Sequence, residues 1–502
     1  MRLLFDTNVL IHLEDPKELT PELQELRKLI ITHGHQICVH ASTFEDVGRD
    51  SNDARRTVLL SKLKGYPTIS SQQPDQAFEA KVGPASSPNE AVDDTILFGL
   101  LKKKVDFLVT GDKGIFKKAV LLGLEDRVLS IQSALSFFER LHALVLPRTD
   151  LLETKLVSEL NIDDAFFDSL KLEYGFAFIE WFDKISREGR ESWCYVQPDG
   201  RLKALMITKK EIEVVVAEPP LPKAKRLKIC TLKVEINGLK LGEHFLHIAF
   251  DFCVKNGIYE VYLTHFEEAD DPLVRLIQEF GFERRGFNNV ESRRTPGKRE
   301  QVFLKCFQAS GPEIQALAPF DFAKKFGPAF KDGETVGKFV VPIRPEFHDR
   351  LFPQYLKKQK RLTSYLPTSF GNAIKKAYLC HSPIRQLRPG AILIFYRSED
   401  EKAIGSLGVV ERAEVFKNTD EIVRFVGTRT VYSEPEIREM AKSEVLAILF
   451  RHHFDFLCRL SLAELVEKKI LLAAPQSITE ISQERYKLLK KEVRIDEHLA
   501  VP

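Results

Sequence analysis

The chain has 502 residues, of which 44% are hydrophobic and 29% charged, with a net charge of +2 and seven cysteines. That length exceeds one ordinary core and predicts two to four domains, while the charge balance excludes a polycation that binds nucleic acid through bulk charge alone. No apolar run approaches the roughly 18 residues a bilayer span needs, no basic leader precedes a cleavage site, and the cysteines lack CxxC or zinc spacing, so a cytoplasmic protein with reduced thiols and no membrane is expected.

Residues 1–146 alternate strand candidates with helix candidates. The strands are RLLF (2–5), QICVH (36–40), DFLVT (106–110) and RVLSI (127–131); helices are expected over 21–33 and 93–103. This alternation predicts a parallel sheet with helices on both faces, where function gathers outside the carboxyl ends of the strands. Asp6 stands at such an end in MRLLFDTNVLIHLEDP, and Asp112 at another in DFLVTGDKGIF. Glu45, in VHASTFEDVGRD, falls in the first turn of a helix capped by Ser42 or Thr43, and Asp93-Asp94 open the helix DDTILFGLLKKK. Carboxylates brought this close repel, and Mg²⁺ or Mn²⁺ in an all-oxygen site removes the conflict. Taken singly, each acid is equally a turn former or a helix cap.

Taken in order, strand–DTN, SxxE, DD and strand–TGD resemble the PIN domain, a metal-dependent ribonuclease fold. The resemblance implies that Asp6, Glu45, Asp94 and Asp112 are the catalytic acids and ligate Mg²⁺ or Mn²⁺. It makes Asn8 a hydrogen-bonder behind them, has Thr110 shape the pocket, and leaves Asp93 as the competing third acid. It also implies RNA as substrate and, in toxin-like members, an antitoxin or regulatory partner.

Residues 150–308 change pattern. Pro198-Asp199-Gly200 turns ESWCYV back onto RLKALMI as a hairpin. A Pro-rich crossover, EPPLPKAKR, leads to the strand LKICTLKVEI, the helix within NGLKLGEHFLHIAFDFCVKNG, the strand YEVYLTHF, a helix PLVRLIQEFGF closed by Gly281, and a last strand QVFLKCF. Strand, Gly-containing turn and helix can hold phosphates on helix N-terminal amides. KVEI–NGLKLGEHFL resembles the pyrophosphate-binding segment of the GNAT-type acetyltransferases. That implies acetyl-CoA as cofactor, held at Val234, Lys240, Leu241, Gly242 and Glu243. Asn237 replaces the motif's Arg/Gln and Lys240 its middle Gly, while Ile277 stands where the family often has an acid tyrosine. A scaffold that keeps only the fold is the alternative.

Residues 309–335 are Pro/Gly-punctuated and read as a linker. The third block, 336–502, offers strands GKFVVPI, AYLCH, AILIFYR, AIGSLGVVE and EIVRFV, a turn at Arg388-Pro389-Gly390, and helices near 434–449 and 482–491. KKAYLCHSPIRQLRPGAILIFYRS followed by IGSLGVVE resembles the ASCH/EVE branch of PUA-like barrels, which implies reading of RNA, tRNA included, or of modified bases. Lys357, Lys358, Lys360, Arg361, Lys375, Lys376 and His381 would contact RNA, with Tyr365, Tyr378, Phe395 and Tyr396 as stacking candidates. The plain alternatives are a solvated basic face and core aromatics; His452-His453, among phenylalanines, reads as packing.

The expected architecture is multidomain α/β: a PIN-like parallel α/β/α sandwich over 1–146, a GNAT-like mixed α/β domain over 150–308, and a PUA-like β-barrel with helices over 336–502. The expected function is a metal-dependent endoribonuclease with an RNA-reading barrel. The alternatives are an N-acetyltransferase acting on RNA, aminoacyl-tRNA or protein, and a non-catalytic RNA-binding adaptor.

Overall fold

The computed structural model describes residues 1–14, 19–49, 51–143, 152–197, 199–353 and 369–502. The protein is multidomain α/β; among the described residues there are four sheets, and no helix is long and apolar enough to cross a membrane. The chain divides into two compact units. One comprises 1–147, 237–239 and 416–444; the other comprises 148–236, 240–415 and 445–502.

The first unit holds β1 (Arg2–Phe5), β2 (Gln36–His40), β3 (Thr68–Ile69), β4 (Phe107–Val109) and β5 (Val128–Leu129), in the order β3-β2-β1-β4-β5. All pairings are parallel, with Leu4 opposite both Cys38 and Leu108. Leu4, Phe5, Phe107 and Leu108 are wholly buried, as apolar strands covered on both faces must be. The expected strands and the helices Pro21–Thr32 and Pro88–Leu101 are present, the first capped by the Thr20 hydroxyl and the second by Ser87.

Two segments from elsewhere in the sequence complete this unit. EIVRFV, expected as a strand, is the helix Thr419–Val426: Asn418 caps it by accepting from Asp420 and Glu421 N–H, and Gly427 ends it. Ile422, Val423 and Val426 are buried on one helical face. Arg424 pairs with Asp106 at 2.5 Å and Arg429 with Asp126 at 2.8 Å. Residues 416–444 therefore fold with the first block rather than with the third. At 237–239, Asn237 N–H donates to Gln132 Oε1 at 3.3 Å and Ser136 Oγ to Gly238 O at 3.3 Å.

The second unit contains β6 (Glu153–Leu156), β7 (Glu191–Val196), β8 (Leu202–Val215), β9 (Leu221–Val234), β10 (Glu260–His265), β11 (Glu283–Glu291) and β12 (Arg299–Cys306), ordered β11-β12-β10-β9-β8-β7-β6. The Pro-rich crossover is instead the start of β9, which pairs antiparallel with β8. The expected linker is folded: it carries the helices Gly311–Ala316 and Pro319–Phe326 and β13 (Phe330–Lys331), with Phe322, Phe326 and Phe330 buried.

The same unit has a six-stranded sheet of β14 (Lys338–Ile343), β15 (Lys375–Cys380), β16 (Ile392–Arg397), β17 (Ala403–Phe416), β18 (Val445–Ser461) and β19 (Thr479–Glu480), ordered β15-β18-β17-β16-β14-β19. β15 and β19 stand at its two ends. β20 (Ala500–Val501) pairs parallel with β13. The helix expected over 434–449 stops at Met440, and the chain is strand from Val445. Within this unit His247 and His452 share a hydrogen bond of 2.9 Å, and both are buried.

Candidate functional site

In the first unit the carboxyl ends of β1 and β4 lie side by side, and Thr110 joins them. Its hydroxyl donates to Asp6 Oδ2 at 2.8 Å and accepts from Asp112 N–H at 2.9 Å. Asp112 caps the helix Lys113–Leu122 through Ile115 N–H. Asp6 is raised above the usual carboxyl range by burial first, opposed by its Thr110 and Thr7 hydrogen bonds, with Asp112 and Asp46 adding repulsion. Asp93 is pushed up to about 7 by burial, then by the charges of Asp112, Asp6 and Asp94.

At three of the expected positions a neighbouring residue makes the contact instead. Glu45 is exposed. Its helix begins at Ala41, capped by His40 rather than Ser42 or Thr43, and buries Ser42, Thr43 and Val47. That face carries Asp46, whose Oδ2 accepts from Thr7 Oγ1 at 3.4 Å. Asp94 is 4% exposed and bound to Lys118 Nζ at 2.5 Å, which also pairs with Glu90 at 2.8 Å. Its charge is already matched, so Asp93 is the acid that couples to Asp6 and Asp112. The helix starts at Pro88, placing Asp93-Asp94 in its second turn, where adjacent residues face directions about 100° apart. Asn8 is exposed, and Thr7 makes the contact expected of it.

The crowding of Asp6, Asp46, Asp93 and Asp112 fits a divalent cation in charge but not in spacing. Among the described residues no three His, Cys, Asp or Glu side chains gather closely enough to hold an ion.

In the second unit β9 and β10 run parallel, whereas every other pairing described in the seven-stranded sheet is antiparallel. Their register runs from Glu260↔Arg226 to Leu263↔Ile229 and stops. Each strand goes on with its outer partner, β9 to Val234↔Ala204 and β10 to His265↔Gln301. The sheet therefore opens as a wedge, and a cavity of about 340 Å³ fills it. Tyr174, Phe178 and Trp181 form an aromatic wall, and His265, Asn288 and Glu300 supply polar groups.

His265 closes β10, and its Nε2 meets Asp271 Oδ2 at 2.7 Å. Burial opposes the charge of Asp271, yet its hydrogen bond and charge contact with His265 hold the carboxyl down at about 2. Asp271 also caps the helix Pro272–Glu279 through Leu273 N–H at 2.9 Å. An ionised Asp271 fixes a proton on Nε2 and leaves Nδ1 as the nitrogen that can exchange one. None of Tyr174, His265, Asp271 and Glu300 was singled out from sequence. Asp271-Pro272 is a readable helix start, and the strand-end histidine before it is the signal that could have drawn notice.

The motif residues follow the wedge. Val234 is exposed at the end of β9. Lys240 caps the helix Leu241–Asn256 at φ +53°, the left-handed turn that a glycine adopts more readily. An added Cβ at Gly242 would come 2.6 Å from Leu276 Cδ2, which that leucine can relieve by turning its end aside. Leu241 and Glu243 do not face a phosphate: both are buried, and Glu243 Oε1 accepts from Lys375 N–H at 2.7 Å. Were coenzyme A to bind, the wedge would take its acyl arm, and Lys240 with the backbone N–H groups of Leu241 and Gly242 would face its diphosphate. Ile277 is wholly buried.

The expected RNA contacts fare differently. Lys375 is buried against Glu279 at 2.7 Å, and Lys376 is 1% exposed and donates to Gly371 O. Burial pushes Lys376 down to about 7 despite Glu243 and Asp455. Neither lysine can neutralise a phosphate. His381 is exposed. Lys357, Lys358, Lys360, Arg361 and Tyr365 lie outside the described residues. Tyr378, Phe395 and Tyr396 are buried, with the Tyr378 hydroxyl on Pro342 O at 2.9 Å. His453 packs beneath Pro328, its Nδ1 on the Pro328 carbonyl at 2.7 Å.

No protein-family model and no curated protein matches the chain. Among solved structures, ASCH from Zymomonas mobilis is 17% identical over 31% of this chain and 94% of that one, with a TM-score of 0.24. Ard1 from Thermoplasma volcanium is 13% identical over 31% of this chain and 97% of its own, with a TM-score of 0.23. Chaetomium thermophilum Naa20, in complex with a bisubstrate analogue, is 10% identical over 31% and 85%, with a TM-score of 0.24. At this level the matches are likenesses of parts of the chain and say nothing of its chemistry.

Proposed function

We propose that the second unit transfers an acyl group from coenzyme A to an amine inside the wedge between β9 and β10. The observation that carries this reading is the parallel pair that parts after Ile229 and Leu263 while both strands stay in the sheet. A wedge exposes unpaired strand backbone at the bottom of an open-mouthed cavity, a fixed set of donors and acceptors for a thioester and its acceptor. Coenzyme A, when bound, supplies the activated acyl group. His265 Nδ1 would take the proton the amine sheds as the acyl carbon exchanges its bond to sulfur for one to nitrogen, and would return it to the departing thiolate, while Asp271 holds the ring with Nε2 protonated and steadies the imidazolium. Tyr174, Phe178 and Trp181 exclude water from the cavity. The purified chain, given acetyl-CoA and amine-bearing peptides and aminoacyl-RNA, is expected to give an acetylated product by mass spectrometry. His265→Asn should lower kcat/KM about 10²-fold or more. Absence of product from every acceptor, or equal rates in the variant, refutes it.

A second reading is favoured by Asp93. Burial and the neighbouring Asp6 and Asp112 push this carboxyl to about 7; were these acids to close on Mg²⁺ or Mn²⁺, a spacing they do not have here, the first unit would hydrolyse RNA phosphodiesters. RNA cleavage in Mn²⁺ that is lost in Asp6→Asn and Asp93→Asn but kept in Glu45→Gln supports it; equal cleavage by all, with contamination controlled, defeats it.

A further inference from the structure

Glu300 is 3% exposed, and the groups that hold it are neutral. The Tyr174 hydroxyl donates to Oε1, and Asn288 Nδ2 donates to Oε2 at 2.5 Å. A buried carboxylate is ordinarily matched by a cation, because neutral donors recover only part of the several kcal/mol lost on leaving water. The lysines that line the cavity and the arginine next in the chain face other groups. Lys233 Nζ meets Ser169 Oγ at 2.8 Å and Glu235 at 2.9 Å. Lys228 Nζ lies over the Tyr262 ring, 5.6 Å from its centroid. Arg299, next in the chain, pairs with Glu218 at 2.9 Å. Glu300 lines a cavity whose wall is aromatic, with the Phe178 and Trp181 ring centroids 5.7 Å apart. A negative charge beside π faces is the environment that recognises an organic cation.

We infer that the wedge cavity selects an organic ammonium with an apolar body, Glu300 supplying the counter-charge and Tyr174, Phe178 and Trp181 the apolar wall. A cavity of about 340 Å³ admits a small amine or a single cationic side chain, not a folded surface. Calling this ligand the acyl acceptor rests on the acyl-transfer reading; its binding does not.

The test compares 2-phenylethylamine with its neutral isostere 2-phenylethanol, by calorimetry on the full chain at neutral pH and low salt. The amine is expected to bind roughly tenfold tighter or better. Glu300→Gln should erase that preference while binding the alcohol as the parent does. Equal binding of the two probes by the parent, a preference that survives in Glu300→Gln, or no binding of either at millimolar concentration overturns the inference. If Glu300→Gln does not fold, Tyr174→Phe decides: it removes one neutral donor and leaves the carboxylate, so the preference must persist, and its loss counts against Glu300. Selective amine binding with no acetylated product would sink acyl transfer and leave this inference standing.

Discussion

Asp46 and Asp93 each sit one residue from the acid that the sequence pattern favoured. Spacing along the chain identified the helices but not their phase, because phase depends on where the cap falls: His40 rather than Ser42 or Thr43, and Ser87 rather than a residue beside Asp93. A lysine far along the chain, Lys118, settles Asp94 as an ion-paired acid, and nothing local announces that pairing. Asp6, Asp112 and Thr110 were legible because strand ends fix direction without a phase to guess. The crowding has a measurable consequence. The Asp93 carboxyl is raised from 3.8 to about 7, so protonation favours the fold: the stability is whole below pH 4 and drains away as pH rises through 7. Asp93→Asn should therefore melt with the parent at pH 4 and above it at pH 8, by about 1–2 kcal/mol once solvent screening of a half-exposed group is allowed for. Equal differences at both pH values in thermal melts would show that neither burial nor the neighbouring acids raise this carboxyl.

Among elements, the wedge was the least legible feature. LKICTLKVEI and YEVYLTHF read correctly as strands, but nothing in their composition says that they run parallel or part after Ile229 and Leu263. Burial on both faces also hid strand from helix: VLAILFRHHFDFLCRLS lacks period-two alternation because β18 lies inside its sheet, and EIVRFV was too short to show its helical phase without the Asn418 cap. The turn at Arg388-Pro389-Gly390 was read correctly, yet its role reaches further than joining strands. Gly390 has φ +90°, and an added Cβ would fall 2.4 Å from Pro319 Cβ and 2.8 Å from Phe320 N. This glycine lets the supposed linker seat against the six-stranded sheet. Gly390→Ala should cost about 2–4 kcal/mol, through left-handed strain and displacement of the helix Pro319–Phe326. Chemical denaturation measures it, and a cost below about 0.5 kcal/mol, the range of ordinary surface changes, would mean that the contact yields freely.

For the molecule as a whole, block boundaries read from composition follow chain order, and the fold does not. Residues 416–444 complete the first unit although some 270 residues of other sheets precede them after Pro147. Their Ile422, Val423, Val426, Tyr432 and Ile437 side chains are all 1% exposed or less. At about 1.5–3 kcal/mol for each such burial, together they are comparable to the whole margin of about 5–15 kcal/mol on which a domain stands. Gly427 lies so close to Asp126 that an added Cβ would come 2.8 Å from its carbonyl oxygen, and Thr428 Oγ1 donates to Asp126 Oδ1 at 3.0 Å. A fragment of residues 1–147 should accordingly lack a cooperative melt, and a peptide of residues 416–444 added in trans should restore one in proportion to its concentration. Asp126→Ala should weaken that rescue by removing the acceptor of both Thr428 and Arg429. A fragment 1–147 that melts cooperatively, and at the same temperature with or without the peptide, would show that the segment rests on the first unit without supporting it.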